Sequence, residues 1–327
     1  MKAVMIIPTG IGCEIGGHSG DATPSAKLLA SVCDTLIVHP NVVNASDINE
    51  MTENMLYVEG SMLDDFLEEK IGLKRVKSNK ILVVINPPLV QEVVDAVSAA
   101  RVTIGADVSI LVLETPLIMS GDVVNGEAIG TVEGWKELII QAQERNFDAL
   151  AINTFVSITE NVELNYYNNG GANPWGKVEA ITSRLISNAL GKPVAHAPLD
   201  IEKVEYLEEV DPRIAPEMNS VCNLHCVLKG LHKAPQIGRE IFAKDIDCLV
   251  SPKCYGRPHK ACERLNIPII YVEENQTIYS DRDIRTGYYA ENYLEVVGIL
   301  SAMRIGVSLE SVRRPIPKTC VIKEGLS

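Results

Sequence analysis

Aromatic residues are scarce in this chain: two Trp, four Phe and ten Tyr among 327 residues, 5% in all. A core of stacked rings is therefore excluded, and the interior must be built from Val, Ile, Leu and Ala. That usage suits buried parallel strands and the helices that cover them. Positive charge is also short, with 30 Lys and Arg against 43 Asp and Glu, a net charge of −13. A nucleic-acid partner usually requires a basic face, so none is expected. No apolar run approaches the roughly 20 residues that span a bilayer, so no membrane partner is expected either. The opening Met1-Lys2-Ala3-Val4-Met5-Ile6-Ile7-Pro8 reads as a strand, too short for the apolar region of a signal peptide.

What is present is ordinary for a globular protein: 46% hydrophobic and 22% charged residues, in a length that holds one large α/β domain or two medium ones. Eight cysteines, at 13, 33, 222, 226, 248, 254, 262 and 320, read as thiols in a reducing, cytoplasmic setting. Short β-branched runs predict strands near Val4–Pro8, Thr35–His39, Ile81–Asn86, Ser109–Glu114, Ala149–Asn153, Pro193–Ala197, Asp247–Ser251 and Pro268–Val272. Helical patterns alternate with them at Ser25–Val32, Val90–Arg101, Thr131–Arg145, Gly176–Leu190, Pro235–Phe242, Lys260–Leu265 and Asn292–Ile305. This rhythm predicts an α/β fold, mostly parallel and Rossmann-like, with helices on both sheet faces. It divides into an N-terminal half, 1–147, and a C-terminal half, 148–327; a single domain is the alternative, because no Pro/Gly/Ser linker marks the boundary. A long polar stretch from His39 to Ser61 breaks the rhythm, and loops of that length are often functional.

Ligands of such sheets sit beyond the carboxyl ends of the strands. The first such place follows Val4–Pro8, where Gly10, Gly12, Gly16, Gly17 and Gly20 lead into a helix. Glycines let the backbone approach a ligand, and a helix N-terminus offers unpaired N–H groups to an anion. The spacing is not the dinucleotide fingerprint, and His39 and Asn41 stand where that motif has an acid. No Gly-Lys-Ser/Thr follows, so there is neither a nicotinamide nor an ATP signature. The loop reads as a holder for a carboxylate or phosphate, with His18 beside it, or as a structural turn. Asp21 reads as a proton-transfer group or as the cap of the next helix.

Two further constellations carry chemistry. The helical stretch Met218–Leu231 sets Cys222, His225, Cys226 and Lys229 on one face. A Cys-His pair there would activate a thiolate or help hold zinc; otherwise Cys222 and Cys226 are small core residues and His225 a hydrogen-bonded core histidine, or His225 and Lys229 work as polar site groups. Later, Ser251-Pro252-Lys253-Cys254-Tyr255-Gly256-Arg257-Pro258-His259 links a strand to a helix. Helix N–H groups and the positive Lys253, Arg257 and His259 would lower the pKa of the Cys254 thiol, making it a nucleophile or proton carrier. An inert thiol in a solvated turn is the plain alternative. Asn153 and Thr154, at another strand end, are placed to hydrogen-bond a substrate carboxylate.

Three of these blocks, Ile7 to Pro24, His39 to Asp47 and His225 to Leu231, resemble the domain-of-unknown-function family numbered 3326, over nearly the whole chain. That resemblance implies no activity. Ala151-Ile152-Asn153-Thr154 carries a slighter likeness to the aspartate/glutamate racemase group, with Ile152 where that group has a cysteine; Cys13 and Cys254 would then have to serve as its two thiols.

The expected function is an enzyme acting on a small anionic metabolite beside a carboxylate or carbonyl, by isomerase, lyase or hydrolase chemistry. Cys254 would be the thiol, His225 or His39 its proton partner, with Lys229 and Asp21 assisting. Gly10, Gly12, Gly16, Gly17, His18, Asn41, Asn153, Thr154, Arg257 and His259 would bind the substrate. One alternative is a protein that binds or senses a small molecule without chemistry. Another is a zinc hydrolase or lyase drawing ligands from His18, Asp21, His39, Cys222, His225 and His259. A homodimer is the default expectation for a metabolic enzyme.

Overall fold

The computed structural model describes residues 1–18, 21–43, 51–199, 223–281 and 287–321. Two parallel sheets organise it. The larger has six strands: β1 (Lys2–Met5), β2 (Thr35–Val38), β3 (Met55–Tyr57), β13 (Cys248–Pro252), β14 (Ile269–Val272) and β15 (Tyr288–Ala290). Their spatial order is β15-β14-β13-β1-β2-β3, all parallel. Strands from both ends of the chain thus share one sheet, so position 147/148 does not separate sheet from sheet. The smaller sheet comes from the middle of the chain. Its strands are β5 (Lys80–Ile85), β6 (Asp107–Val112), β9 (Ala149–Thr154) and β11 (Val194–Pro198), in the order β11-β9-β5-β6.

Side chains alternate along each strand, so each sheet buries two faces. Ala3, Met5, Leu36 and Val38 face α1 (Thr23–Ala30) and α9 (Tyr293–Arg304). Val4, Ile37, Leu56 and Leu249 face α2 (Gly60–Leu67) and α8 (Arg257–Arg264). In the smaller sheet Ile81, Val83 and Ile85 pack on α3 (Gln91–Ile104) and α7 (Asn223–His232), within the same core as the first face of the larger sheet. Leu82, Val84 and Ile152 pack on α4 (Trp135–Gln143) and α6 (Pro174–Leu190). Burying each such Val, Leu, Ile or Met side chain is worth about 1.5–3 kcal/mol, and the rule of apolar runs in doubly covered strands is met in β1, β2, β5, β9, β11, β13 and β14, while the edge strand β6 alternates exposed and half-buried residues. The mostly parallel, Rossmann-like α/β architecture is therefore the observed one.

Several local expectations differ. Thr131–Arg145 is not one helix: β7 (Ile118–Val124) and β8 (Glu127–Glu133) form an antiparallel hairpin, and α4 starts only after Gly134, whose φ of 78° stops the strand. Pro235–Phe242 is not helical either. Gln236 and Ile237 form β12 and pair with β4 (Leu73–Lys74), and Gly238 lies so close to Lys74 that a Cβ would sit 2.3 Å from its Cβ. The polar stretch after His39 contains β3 and leads into α2; its residues 44–50 lie outside the described residues. Helix α5 (Glu160–Asn169) and the two-residue β10 (Val156–Ser157) complete the connection from β9 to α6, and α10 (Leu309–Val312) follows α9.

Candidate functional site

Each parallel sheet has a point where its connections turn in opposite directions, and there the carboxyl ends of neighbouring strands part to leave a crevice. In the larger sheet that point lies between β1 and β13. The loop leaving β1 is the glycine-rich segment, and its backbone is closely fitted. Gly16 has a φ of 81°, and a Cβ there would lie 2.4 Å from Ile7 Cδ1 and 3.0 Å from the Asn41 carbonyl oxygen. Gly17 lies against the Cys13 carbonyl, and Gly12 against the Gly171–Ala172 backbone. The Gly10 carbonyl accepts a 3.0 Å hydrogen bond from Ala128 N–H, and Lys177 of α6 packs on its Cα. The buried Asn275 accepts from Ile15 N–H and donates to the Ile15 carbonyl, both at 2.9 Å, pinning the far side of the loop.

The loop ends at α1. Asp21 does not cap this helix: its Oδ1 accepts from Gly16 N–H at 2.8 Å. The cap position is Ala22, which has no side-chain acceptor to offer, and the first turn holds no acid. Thr23 opens the helix with its hydroxyl buried and, among the described residues, without a hydrogen-bond partner. A buried hydroxyl lacking a partner costs about 1–3 kcal/mol, and the uncapped N–H groups beside it carry the positive end of the helix dipole. An anionic ligand would satisfy both at once.

Across the crevice, the loop after β13 carries Cys254. Its Sγ lies 3.6 Å from Ser251 Oγ and 3.9 Å from His259 Nε2; Ser251 Oγ and His259 Nε2 are 2.9 Å apart. Gly256 N–H donates to His259 Nδ1 at 3.1 Å, so Nδ1 is an acceptor and the ring proton resides on Nε2, pointing at Ser251 and Cys254. The imidazole is sandwiched between Tyr255 and Tyr271, and burial lowers its pKa to about 4. Burial pushes the Cys254 thiol up to about 11, against a smaller opposing effect of the Ser251 hydrogen bond. The sequence leads to the expectation of a lowered thiol pKa; burial raises it instead. Cys13 is raised as well, first by burial, then by the nearby Cys254 and Asp21. Both thiols are protonated at neutral pH, and Cys13 Sγ donates to the Pro8 carbonyl at 3.4 Å.

Other expected site residues are engaged elsewhere. Arg257 spends its charge on α2, bonding Glu68 at 2.8 and 2.9 Å and Asp65 at 2.9 Å, with Asp64 at 3.2 Å. His18 Nδ1 meets Tyr166 Oη at 2.6 Å in the interior. His39 accepts from Asn41 N–H at its Nδ1, 3.3 Å away, and burial lowers its pKa to about 4. His225 and Lys229 lie on α7, which packs against α3 and the smaller sheet; His225 Nε2 faces Thr103 at 3.4 Å. The imidazole facing Cys254 is therefore His259, five residues along the chain, not His225 or His39. Cys222 lies outside the described residues. Among the described residues, no three His, Cys, Asp or Glu side chains gather as a metal-holding group.

The smaller sheet parts between β5 and β9. Asn86, just past β5, exchanges two hydrogen bonds with the Leu117 backbone, 2.7 and 2.8 Å, and so holds the entry to the hairpin. Thr154 ends β9. Its hydroxyl lies 3.0 Å from His196 Nε2, and His196 Nδ1 lies 3.1 Å from Glu179 Oε1. Glu179 was invisible to sequence reasoning as a partner, because it reaches His196 from α6 across 17 residues.

A family model described as "Protein of unknown function (DUF3326)" matches residues 2–313. The chain belongs to the DUF3326 family. It is also 32% identical over 332 residues to the "Uncharacterized lipoprotein syc1174_c" of Synechococcus sp., an alignment covering 94% of this chain and 92% of the relative. No solved structure matches it.

In this DUF3326 chain the glycine loop, with Asp21 and Asn41 against Gly16, leaves β1, and the loop that carries Cys254 leaves the neighbouring β13; Thr23 is a residue that the sequence alone did not single out. Its signal was present as a Thr-Pro pair opening a helix with no Ser, Thr, Asp or Asn at the cap.

Proposed function

We propose that the chain is an enzyme acting on a small anionic metabolite held at the crevice between β1 and β13. The observation that carries this reading is Thr23: a buried hydroxyl without a partner among the described residues, at the start of α1, where the cap residue Ala22 makes no side-chain bond. The anion would accept from Thr23 Oγ1 and from the first N–H groups of α1. Cys254 then stands as a protonated thiol, a resting acid and not a resting nucleophile. Isomerase or lyase chemistry fits that state: once the C–H or C–C bond beside the carboxylate or carbonyl has broken with its electron pair left on carbon, the proton taken by a base or carbon dioxide departing, Sγ gives its proton to that carbon. The thiolate left behind accepts from Nε2–H of His259, and from Ser251 once its hydroxyl turns from the Pro252 carbonyl, to which it donates at 2.9 Å. Positioned proton transfer contributes about 10²–10⁴-fold.

The test is a thermal-shift screen of small carboxylates and phosphates, followed by two variants on any hit. Thr23→Val should weaken binding about tenfold. Cys254→Ser should leave binding intact and lower turnover by at least about a hundredfold. Turnover near that of the parent in Cys254→Ser refutes the catalytic role.

The raised pKa values of both thiols favour a second reading, a small-molecule binding or sensing protein using the same crevice. Under it Thr23→Val weakens binding and no substrate is turned over by either form. The cytoplasmic placement remains part of the proposal and rests on the thiols; the word lipoprotein belongs to the Synechococcus relative's name. Cell fractionation distinguishes the two placements.

A further inference from the structure

The crevice of the smaller sheet holds a separate observation. Asn153 is the penultimate residue of β9, at the point where β5 and β9 part company. The residue is only 3% exposed. The amide orientation is fixed chemically, because its nitrogen donates to the Ala197 carbonyl at 2.9 Å and a carbonyl accepts only from N–H. The oxygen, Oδ1, is buried and has no partner among the described residues. Neighbouring residues on the same face, Ile85 and Ala197 by register, offer it no side-chain donor. An oxygen acceptor cannot hold an anion, since an anion has no proton to give. It requires a donor.

We infer that the carboxyl edge of the smaller sheet carries a second binding subsite, in which Asn153 Oδ1 accepts a hydrogen bond from an ammonium, amide or hydroxyl group of a small ligand. This reverses the polarity expected from the sequence, where Asn153 was to hold a carboxylate. The inference does not rest on the anion site at α1. The two would fail separately: Thr23→Val tests one and Asn153 variants the other. Where one ligand spans both, it is an amino or hydroxy acid and not a plain carboxylic acid.

Matched acids test it. L-Alanine, L-lactate and propionate differ only in an ammonium, a hydroxyl or neither; L-aspartate, L-malate and succinate repeat the comparison. Melting temperature is followed with each, in the parent protein and in Asn153→Leu. The donor-bearing acids should stabilise the parent more than their donor-free partners. Asn153→Leu should bind them about tenfold more weakly and bind propionate and succinate as before. Asparagine-labelled parent protein gives a reading independent of the variant's folding: the Asn153 Cγ resonance should move with L-alanine or L-lactate and stay with propionate. Equal stabilisation by all three acids of a set overturns the subsite. So does a still Cγ resonance with every donor-bearing probe, which would mean a trapped water only.

Discussion

Cys254 Sγ lies 3.9 Å from Nε2 of His259, and that nitrogen carries the ring proton, because Nδ1 accepts from Gly256 N–H. The pair is therefore a thiol facing a donor, not a thiol facing a base. Reactivity of the thiol should follow from that. Alkylation of Cys254 by a small uncharged reagent should be slow at pH 7 and rise with pH toward a midpoint near 11. A midpoint below pH 8 contradicts the assignment.

The same burial makes the fold acid-sensitive in a defined window. His259 and His39 both have folded pKa values near 4, below the ordinary value of 6.5. The unfolded chain binds protons below pH 6.5 where the folded chain does not, so stability rises with pH between 4 and 6.5. It is fully present above 6.5 and is lost as pH falls toward 4. The Tm should fall across this range, and His259→Asn, which keeps an acceptor for Gly256 N–H, should flatten part of the fall. An unchanged slope in that variant excludes His259 as a source.

Gly16→Ala should destabilise the protein by about 1–3 kcal/mol, since φ is 81° and the new methyl would meet Ile7 Cδ1 at 2.4 Å. Denaturant unfolding reads this directly. A loss under about 0.5 kcal/mol would show that the loop relaxes freely.

Thr154→Val should cost about 1–3 kcal/mol, because it removes the hydroxyl partner of the buried His196 and leaves that nitrogen alone in the interior. The Glu179 contact would persist at the other nitrogen. Neutral behaviour on denaturant unfolding would mean that His196 finds another partner.

The parallel strands were legible because β-branched runs such as Ile81–Asn86 and Ala149–Asn153 are short, apolar and separated by helical periods. The β7–β8 hairpin was legible in principle too, through Asn125-Gly126, the commonest two-residue hairpin turn. It was obscured because Gly121 and Gly130, paired across the hairpin, interrupt the alternation. Strand order was not legible. Pairing β1 with β13 joins residues nearly 250 positions apart, and local pattern carries no such information. For the site, the glycine loop and Cys254 stood out by residue type. The role of His259 did not, because it depends on which ring nitrogen the Gly256 N–H meets. Nor did the orphaned hydroxyl of Thr23, since burial without a partner is a property of packing.

The most direct test of the central claim is a crystal structure of the protein with a carboxylate or phosphate found by thermal shift. The account predicts an anion oxygen within hydrogen-bond distance of Thr23 Oγ1 and the first N–H groups of α1, with a ligand carbon facing Cys254 Sγ. An anion bound away from α1, with Thr23 still unpartnered, contradicts it.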